Sequence, residues 1–572
     1  MLVSLPESPD TFRDATWEDV APYYEALATA PLSRETAEEW LAAWSRLEEL
    51  VGEAGTLAMI AYTGDTADAA KEARYLRFAS EIFPKSDEQH VRLVRRLLDL
   101  GYTREDLEEL LREFRTDAEI FREANVPLFA ELEELSATYQ KITGGLTVEW
   151  EGETKTIPQL QPYMKSQDRA VRELAFRLGA EAYVAKRDEL ADLFDRMYER
   201  RVQVAHNAGF PDYQAYVYRE KHRFDYTPTD VARFHRAVEE TVVPAAERLL
   251  AYRRERLGLP TVRPWDLLVD PENAPPLHPF ATTQQFVSRA EHIFEHVDGQ
   301  LGDWFRVMVR ERLLDLESRE GKAPGGYCTK LSFTRLPFIF MNAVGVPDDV
   351  NTLMHEAGHC FHAFACGDLP FLWQRGTGSE AAELASMSME LLAAPYLAAP
   401  VGYYTPDDAR RAWIEHLEDI VLSLAHIASV DAFQSWIYTS GQGGDRDARD
   451  AAWLDIRSRF EKGIDWSGLE AERVARWYRQ LHIFELPFYY IEYGIAQLGA
   501  LQIWRASLDD QAAAVERYKR ALALGRTRSL PDIYHAAGAK LVFDAEEMGA
   551  LVALVERRIA ELREGSLSTA VR

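Results

Sequence analysis

Apolar residues recur every three or four positions between charged ones over long stretches of the chain: Arg104 to Glu123, Arg169 to Ala208, Pro228 to Leu257 and Ala281 to Leu316. That period gathers the apolar side chains on one face, so these stretches predict amphipathic helices. A strand-like pattern occurs in only two places. Leu146 to Ile157 reads LTVEWEGETKTI around Glu151-Gly152 and predicts a hairpin. Tyr327 to Ala343 contains YCTKLSF and, after Pro337, the apolar run FIFMNA, which predicts a second short sheet. The fold class expected is mainly α, with a small β element just before residue 346.

Between Leu259 and Phe280 six prolines in 22 residues interrupt the helical pattern and predict an ordered connection or flap. The hairpin closes an N-terminal helical region, so the expected division is 1–195, an N-terminal helical lobe with the hairpin near 146–157, and 196–572, the region carrying the chemistry. No internal repeat is visible, and the C-terminal EGSLSTAVR is expected to fray.

Composition narrows the function classes. The 26 Phe, 25 Tyr and 13 Trp are far too many for a disordered chain. A net charge of −28 repels phosphate backbones and anionic membranes, so neither nucleic acid nor a membrane is an expected partner. The greasiest stretch, Met387 to Tyr404, contains Glu390 and two prolines, so no membrane span is expected. The first residues show neither a basic segment nor an apolar one, and there are three cysteines, Cys328, Cys360 and Cys366. Both point to a reducing cytoplasm.

Val346-Pro347-Asp348-Asp349 is a helix start, with proline and two acids in the first turn. It leads into His355-Glu356-Ala357-Gly358-His359, an HExxH motif. Two histidines four apart on a helix lie one turn apart on one face, where both imidazoles reach one ion; the glutamate between them can take a proton from water. A catalytic zinc then still needs one protein ligand. The continuation Gly-x-x-His fails, because positions 362 and 365 hold His362 and Ala365. The alternative is an acid from a second helix, Ser379 onward, where Glu380, Glu383 and Glu390 share a face. Glu380 lies three after Thr377 and could close a capping box. Glu383 is therefore the preferred third ligand, with Glu390 an outer partner that holds a ligand histidine in its tautomer. His362 is expected as a neighbour of the ion rather than a fourth ligand, and Cys360 as a buried thiol. A second match, His292-Ile-Phe-Glu295-His296, has the inverted order HxxEH but no acid cluster nearby, and reads as a solvated helix face.

Farther on stand His482, Tyr489, Tyr490 and Tyr493. Hydrolysis of a peptide builds negative charge on the former carbonyl oxygen, which hydroxyl or imidazole donors stabilise. Tyr490 and Tyr493, one turn apart, are expected to face one way and Tyr489 another.

Four segments together resemble the thimet, neurolysin and oligoendopeptidase-F group of zinc oligopeptidases, most nearly its oligoendopeptidase-F branch. They are Arg319 to Cys328, Asn351 to His362, Glu383 to Glu390 and His482 to Tyr493. The likeness runs from about residue 146 to residue 541. The resemblance implies a two-lobed helical ellipsoid with a deep central channel and one zinc ion at its floor. It also implies short unstructured peptides as substrates. It carries the zinc ligands to His355, His359 and Glu383, and the general base to Glu356. The oxyanion and substrate contacts pass to His482 and the tyrosines, of which Tyr490 and Tyr493 are the preferred pair and Tyr489 a substrate contact. The glycines Gly325 and Gly326 are expected to form a mobile loop over the peptide. The strand Phe338 to Ala343, with Phe340 and Asn342, is expected to pair with the substrate backbone. The function expected is zinc-dependent cleavage of internal peptide bonds. The rivals are a helical zinc carboxypeptidase and a non-catalytic peptide-binding scaffold.

Overall fold

A computed structural model of the chain describes residues 4–565. The C-terminal stretch expected to fray lies, from residue 566 on, outside the described residues. The chain is mainly helical. It forms two compact units, each assembled from three separate segments: Met1–Glu119, His278–Trp413 and Gly499–Leu541 in the first, and Ile120–Leu277, Ile414–Leu498 and Val542–Arg572 in the second. The boundary expected at 195 falls inside the helix Arg187–Asn207, within the second unit.

The first unit has an aromatic core. Trp40, Trp44, Leu47, Leu50 and Phe114 are buried together, and the Trp44 ring lies 4.4 Å from Trp373. It also holds a three-stranded sheet in the order β3 (Leu314–Glu317), β5 (Leu336–Ala343), β4 (Tyr327–Leu331). β5 is central, parallel to β3 and antiparallel to β4. β3 overlaps the end of the stretch expected to be helix to Leu316; four residues are too few for a period of two to show. That stretch is two helices, Thr283–Val297 and Gly299–Arg310, broken where Asp298 caps the second. The β4–β5 turn is held on the helix Ala37–Gly64, where the Glu53 carboxylate accepts the N–H groups of Phe333 at 2.7 Å and Thr334 at 2.8 Å.

The second unit contains the expected hairpin, β1 (Thr147–Trp150) with β2 (Glu153–Thr156), antiparallel around Glu151-Gly152. Its alternation is visible in burial, since Val148 and Trp150 are buried while Thr147 and Glu149 are exposed. The proline-rich passage is an ordered connection. Asp266 is fully buried there and accepts hydrogen bonds from Arg169 at 3.0 and 2.9 Å and from Arg172 at 3.0 Å. The continuous helix expected from Arg169 breaks at Lys186 into Arg169–Ala185 and Arg187–Asn207.

One helix, Pro406–Thr439, is long and apolar enough to cross a membrane, contrary to the expectation of none; 67% of its apolar window is buried in the protein. That burial makes it a core helix here.

Candidate active site

The joint between β5 and the motif helix, Pro347–Ala365, is made by one side chain. Asp349 reaches back to accept the N–H groups of Val344 at 2.9 Å, Gly345 at 2.8 Å and Val346 at 2.9 Å. An acid in the first turn thereby satisfies orphan donors and complements the helix dipole. The second helix, Ser379–Ala393, crosses the motif helix so closely that a Cβ on Gly358 would lie 2.6 Å from the Ala385 carbonyl oxygen. Glycine at 358 is what permits this approach.

The crossing brings three ligand groups together. One ligand atom each from His355, His359 and Glu383 lies within 4.8 Å of the others. Glu383 Oε2 is 3.3 Å from His355 Nε2 and 3.8 Å from His359 Nε2. Ligands at zinc's usual bond lengths sit about 3.4 Å apart in a tetrahedron, so two imidazoles and a carboxylate in this arrangement fit such an ion. Glu390 Oε1 takes the other nitrogen of His355, Nδ1, at 2.7 Å, which leaves Nε2 turned toward Glu383. Ser386 Oγ lies 3.0 Å from the same Oε2 of Glu383 that faces both rings.

Electrostatics follow this geometry. Burial pushes the Glu356 carboxyl up to about 7, with Glu383 and Glu390 adding to the rise while His355 and a backbone N–H from Cys328 oppose it. Burial pushes His359 down to about 4. For His355 burial works against the charged form, but the hydrogen bonds to Glu383 and Glu390 outweigh it and hold the ring well above its ordinary value.

Other expected residues fall around or outside this group. His362 is buried and held neutral by that burial, outside the ligand trio. Glu380 also lies outside it, though not because of a capping box: the helix starts at Ser379 on Gly378, with no side-chain cap. Cys360 is buried, its sulfur 3.5 Å from that of Cys328. His292 and His296 lie on the exposed face of their helix, as expected of a solvated motif. Among the described residues, His355, His359 and Glu383 form the one such ligand group.

Two expectations about the sheet are corrected. β5 is flanked on both sides, so the edges of the sheet are β3 and β4. Phe340, expected to meet the substrate, is buried and stacked on Tyr327 at 4.8 Å. Asn342 donates to the carbonyls of Ala323 and Gly325, both at 2.8 Å, and so holds the glycine loop. Gly325 has φ +92°, a conformation that favours glycine, and Ala323 N–H donates to the Thr63 carbonyl at 2.8 Å. The loop expected to be mobile is thus tied by Asn342 and Thr63.

The second unit holds the aromatic cluster. His482 lies on a short helix, Leu481–Glu485, and the helix Tyr490–Asp509 begins with Tyr490. The His482 ring centroid is 5.7 Å from Tyr489, 4.8 Å from Tyr490 and 6.0 Å from Tyr493. Tyr489 does not point elsewhere: it precedes the helix, follows Phe488 at φ +63°, and packs 5.0 Å from Tyr493. A helical wheel therefore misplaced it. The Tyr490 hydroxyl, expected to face an oxyanion, donates to Gln480 Oε1 at 3.0 Å. Sequence reasoning missed Gln480, because nothing in its spacing marks it.

A family model described as Peptidase family M3 matches residues 162–547, a span that includes both the ligand trio and the His482 segment. The chain belongs to Peptidase family M3. Oligopeptidase PepF of Bacillus subtilis is 24% identical over 340 residues, 56% of this chain and 47% of that protein. An oligoendopeptidase F homolog of Borreliella burgdorferi is 23% identical over 243 residues, 41% of this chain and 39% of that protein. The matches thus span less than half of either curated relative. A solved structure of PZ peptidase A with an inhibitor has TM-score 0.88 at 26% identity, covering 96% of this chain and 98% of its own. A candidate oligoendopeptidase F has TM-score 0.87 at 27% identity, covering 97% and 99%. The M3 family is a metallopeptidase family, which agrees with the His/His/Glu group.

Proposed function

We propose that this M3 chain is a zinc-dependent oligoendopeptidase that cleaves internal bonds of short unstructured peptides. The observation that carries the reading is the convergence of His355, His359 and Glu383 within 4.8 Å, with Glu356 on the turn between the two histidines. His355 and His359 through Nε2, and Glu383 through Oε2, would hold the ion, which when bound supplies Lewis acidity toward the scissile carbonyl and a more acidic water. Glu356 accepts a proton from the attacking water and delivers it to the leaving amine. Glu390 fixes the His355 ring, and Ser386 restrains Glu383. His482 and Tyr493 are the donors proposed for the oxyanion. The outer edge of β4 is the strand proposed to pair with the peptide backbone. Peptide substrates fit the family and the names of the relatives. Three free cysteines fit a reducing cytoplasm as its location.

The test is an internally quenched peptide with an amidated C-terminus, combined with metal analysis. An endopeptidase still cuts it, about one zinc accompanies each chain, and chelation removes both. Cleavage only of peptides with a free C-terminus would replace this reading with a carboxypeptidase; a metal-free chain without turnover would leave a binding scaffold.

A further inference from the structure

The second unit contains two hydrogen-bonded groups that meet on the ring packed against His482. Arg457, buried on the helix Arg446–Phe460, donates through Nη2 to Glu461 Oε1 at 2.6 Å. Through Nη1 it donates to Ser429 Oγ at 2.6 Å and to His426 Nδ1 at 2.9 Å. A guanidinium has no lone pair to offer, so Nδ1 of His426 must be the acceptor and the proton sits on Nε2. Close packing around the ring, with the Arg457 charge, pushes His426 down to about 3 and keeps it in that neutral form. The His426 ring so fixed packs against the Tyr490 ring, with centroids 5.6 Å apart.

The Gln480 amide is oriented from one end. Its Nε2 donates to the Arg476 carbonyl at 3.2 Å, so Oε1 is the acceptor, and it receives the Tyr490 hydroxyl at 3.0 Å. A phenol has one proton. With that proton on Gln480, Tyr490 has none for a substrate oxygen. Its ring stands edge-on to His426, 5.6 Å away at 80°, and edge-on to His482, 4.8 Å away at 82°. Edge-to-face contact is the favoured arrangement for such rings, and a ring pinned at its hydroxyl cannot swing out of it.

We propose that His426, Gln480 and Tyr490 are positioning residues that hold the His482 imidazole in its working orientation through the pinned Tyr490 ring. The proposal rests on the reading of His482 as an oxyanion donor. Within the cluster Tyr490 orients, whereas His482 and Tyr493 donate. The bonds of Arg457 to His426 and of Tyr490 to Gln480 each have one possible direction, so the ring position is set by the protein before any peptide arrives.

The experiment uses the zinc-loaded full chain, with kcat and KM measured on a quenched peptide and with zinc content and thermal melting as controls. Gln480→Leu removes the acceptor at similar volume, and Tyr490→Phe removes one oxygen and keeps the ring. Each is expected to lower kcat about 10-fold with KM nearly unchanged, the scale of a small misplacement of a reacting group. The double variant should be no worse than either single one, because both break the same bond. Gln480→Glu, which keeps an acceptor, should recover most of the loss. In a His482→Ala background, Gln480→Leu should add nothing.

Wild-type kcat in Gln480→Leu, beside a clear loss in His482→Ala, would overturn the proposal and leave the His482 reading standing. So would multiplying losses in the double variant, or a fall of about 10²–10³ in Tyr490→Phe alone, the size expected for a lost oxyanion donor. Full kcat in His482→Ala would overturn the reading of His482 and the proposal with it. Should Gln480→Leu fail to fold, Tyr490→Phe and its combination with His482→Ala carry the same test.

Discussion

Glu356 and Glu390 are the same residue type but stand in different surroundings, and their variants should fail differently. Glu356 lies in a buried setting that raises its carboxyl to about 7, beside the motif histidines. Glu356→Gln keeps the shape and removes the base. Turnover should fall by about 10²–10⁴ while zinc content stays near one per chain. Turnover close to wild type, measured on the quenched peptide, would take the base role away from Glu356. Glu390 touches His355 Nδ1 at 2.7 Å. Glu390→Gln should therefore loosen the metal by about 10–100-fold in affinity, read by competition against a chromogenic chelator. An unchanged affinity would reduce Glu390 to a structural contact. HExxH, its helix start and the downstream acids were legible because spacing along one helix is a one-dimensional property. The preference for Glu383 over Glu380 rested on a capping box that the helix does not form; the packing of the second helix decides it.

The crossing of the motif helix and the acid helix is the structural condition for the proposed metal site. A methyl group at 358 would overlap the Ala385 carbonyl, which belongs to backbone and cannot rotate away. Gly358→Ala should cost about 1–3 kcal/mol through overpacking and should lower zinc content, seen together by thermal melting and metal analysis. A variant that melts and loads zinc like the wild type would show that the helices can part without disturbing the ligands. A second joint titrates. Glu461 is pushed down to about 2: burial alone would raise it, but Arg457 and Arg476 outweigh that cost. A carboxyl depressed on folding adds stability above its unfolded pKa, near 4.5, and loses it as pH falls toward 2. Glu461→Gln should thus lower stability by a constant amount above about pH 5, with the gap closing below about pH 4 in denaturant melts. A gap that persists at about pH 2 would mean that the carboxylate charge is not its source. Helices with long apolar stripes were legible, whereas the four-residue β3 was not, because so short a strand has no period to read.

The proposed ligands sit at positions 355, 359 and 383, so metal binding would couple two helices of the first unit. An ion that binds only the folded chain stabilises it by mass action, by about 4 kcal/mol when free metal is a thousandfold above Kd. Chelation should lower the melting temperature reversibly, and readdition of zinc should restore it. Identical melts with and without chelator would mean that the native chain holds no ion there. Each unit is stitched from three stretches of chain, which is why a cut at 195 could not describe them.

Chain order and composition were enough to establish a mainly helical protein, a pair of histidines at metal-binding spacing with an acid between them, and the family likeness, since all of these are local patterns or ordered motifs. Three-dimensional packing alone placed β5 in the middle of its sheet, brought Glu383 rather than Glu380 to the histidines, drew Tyr489 in beside His482, and tied Tyr490 to Gln480. Those outcomes depend on which elements meet and at what angle. Long-range contacts of that kind leave no period or spacing in the chain to be read.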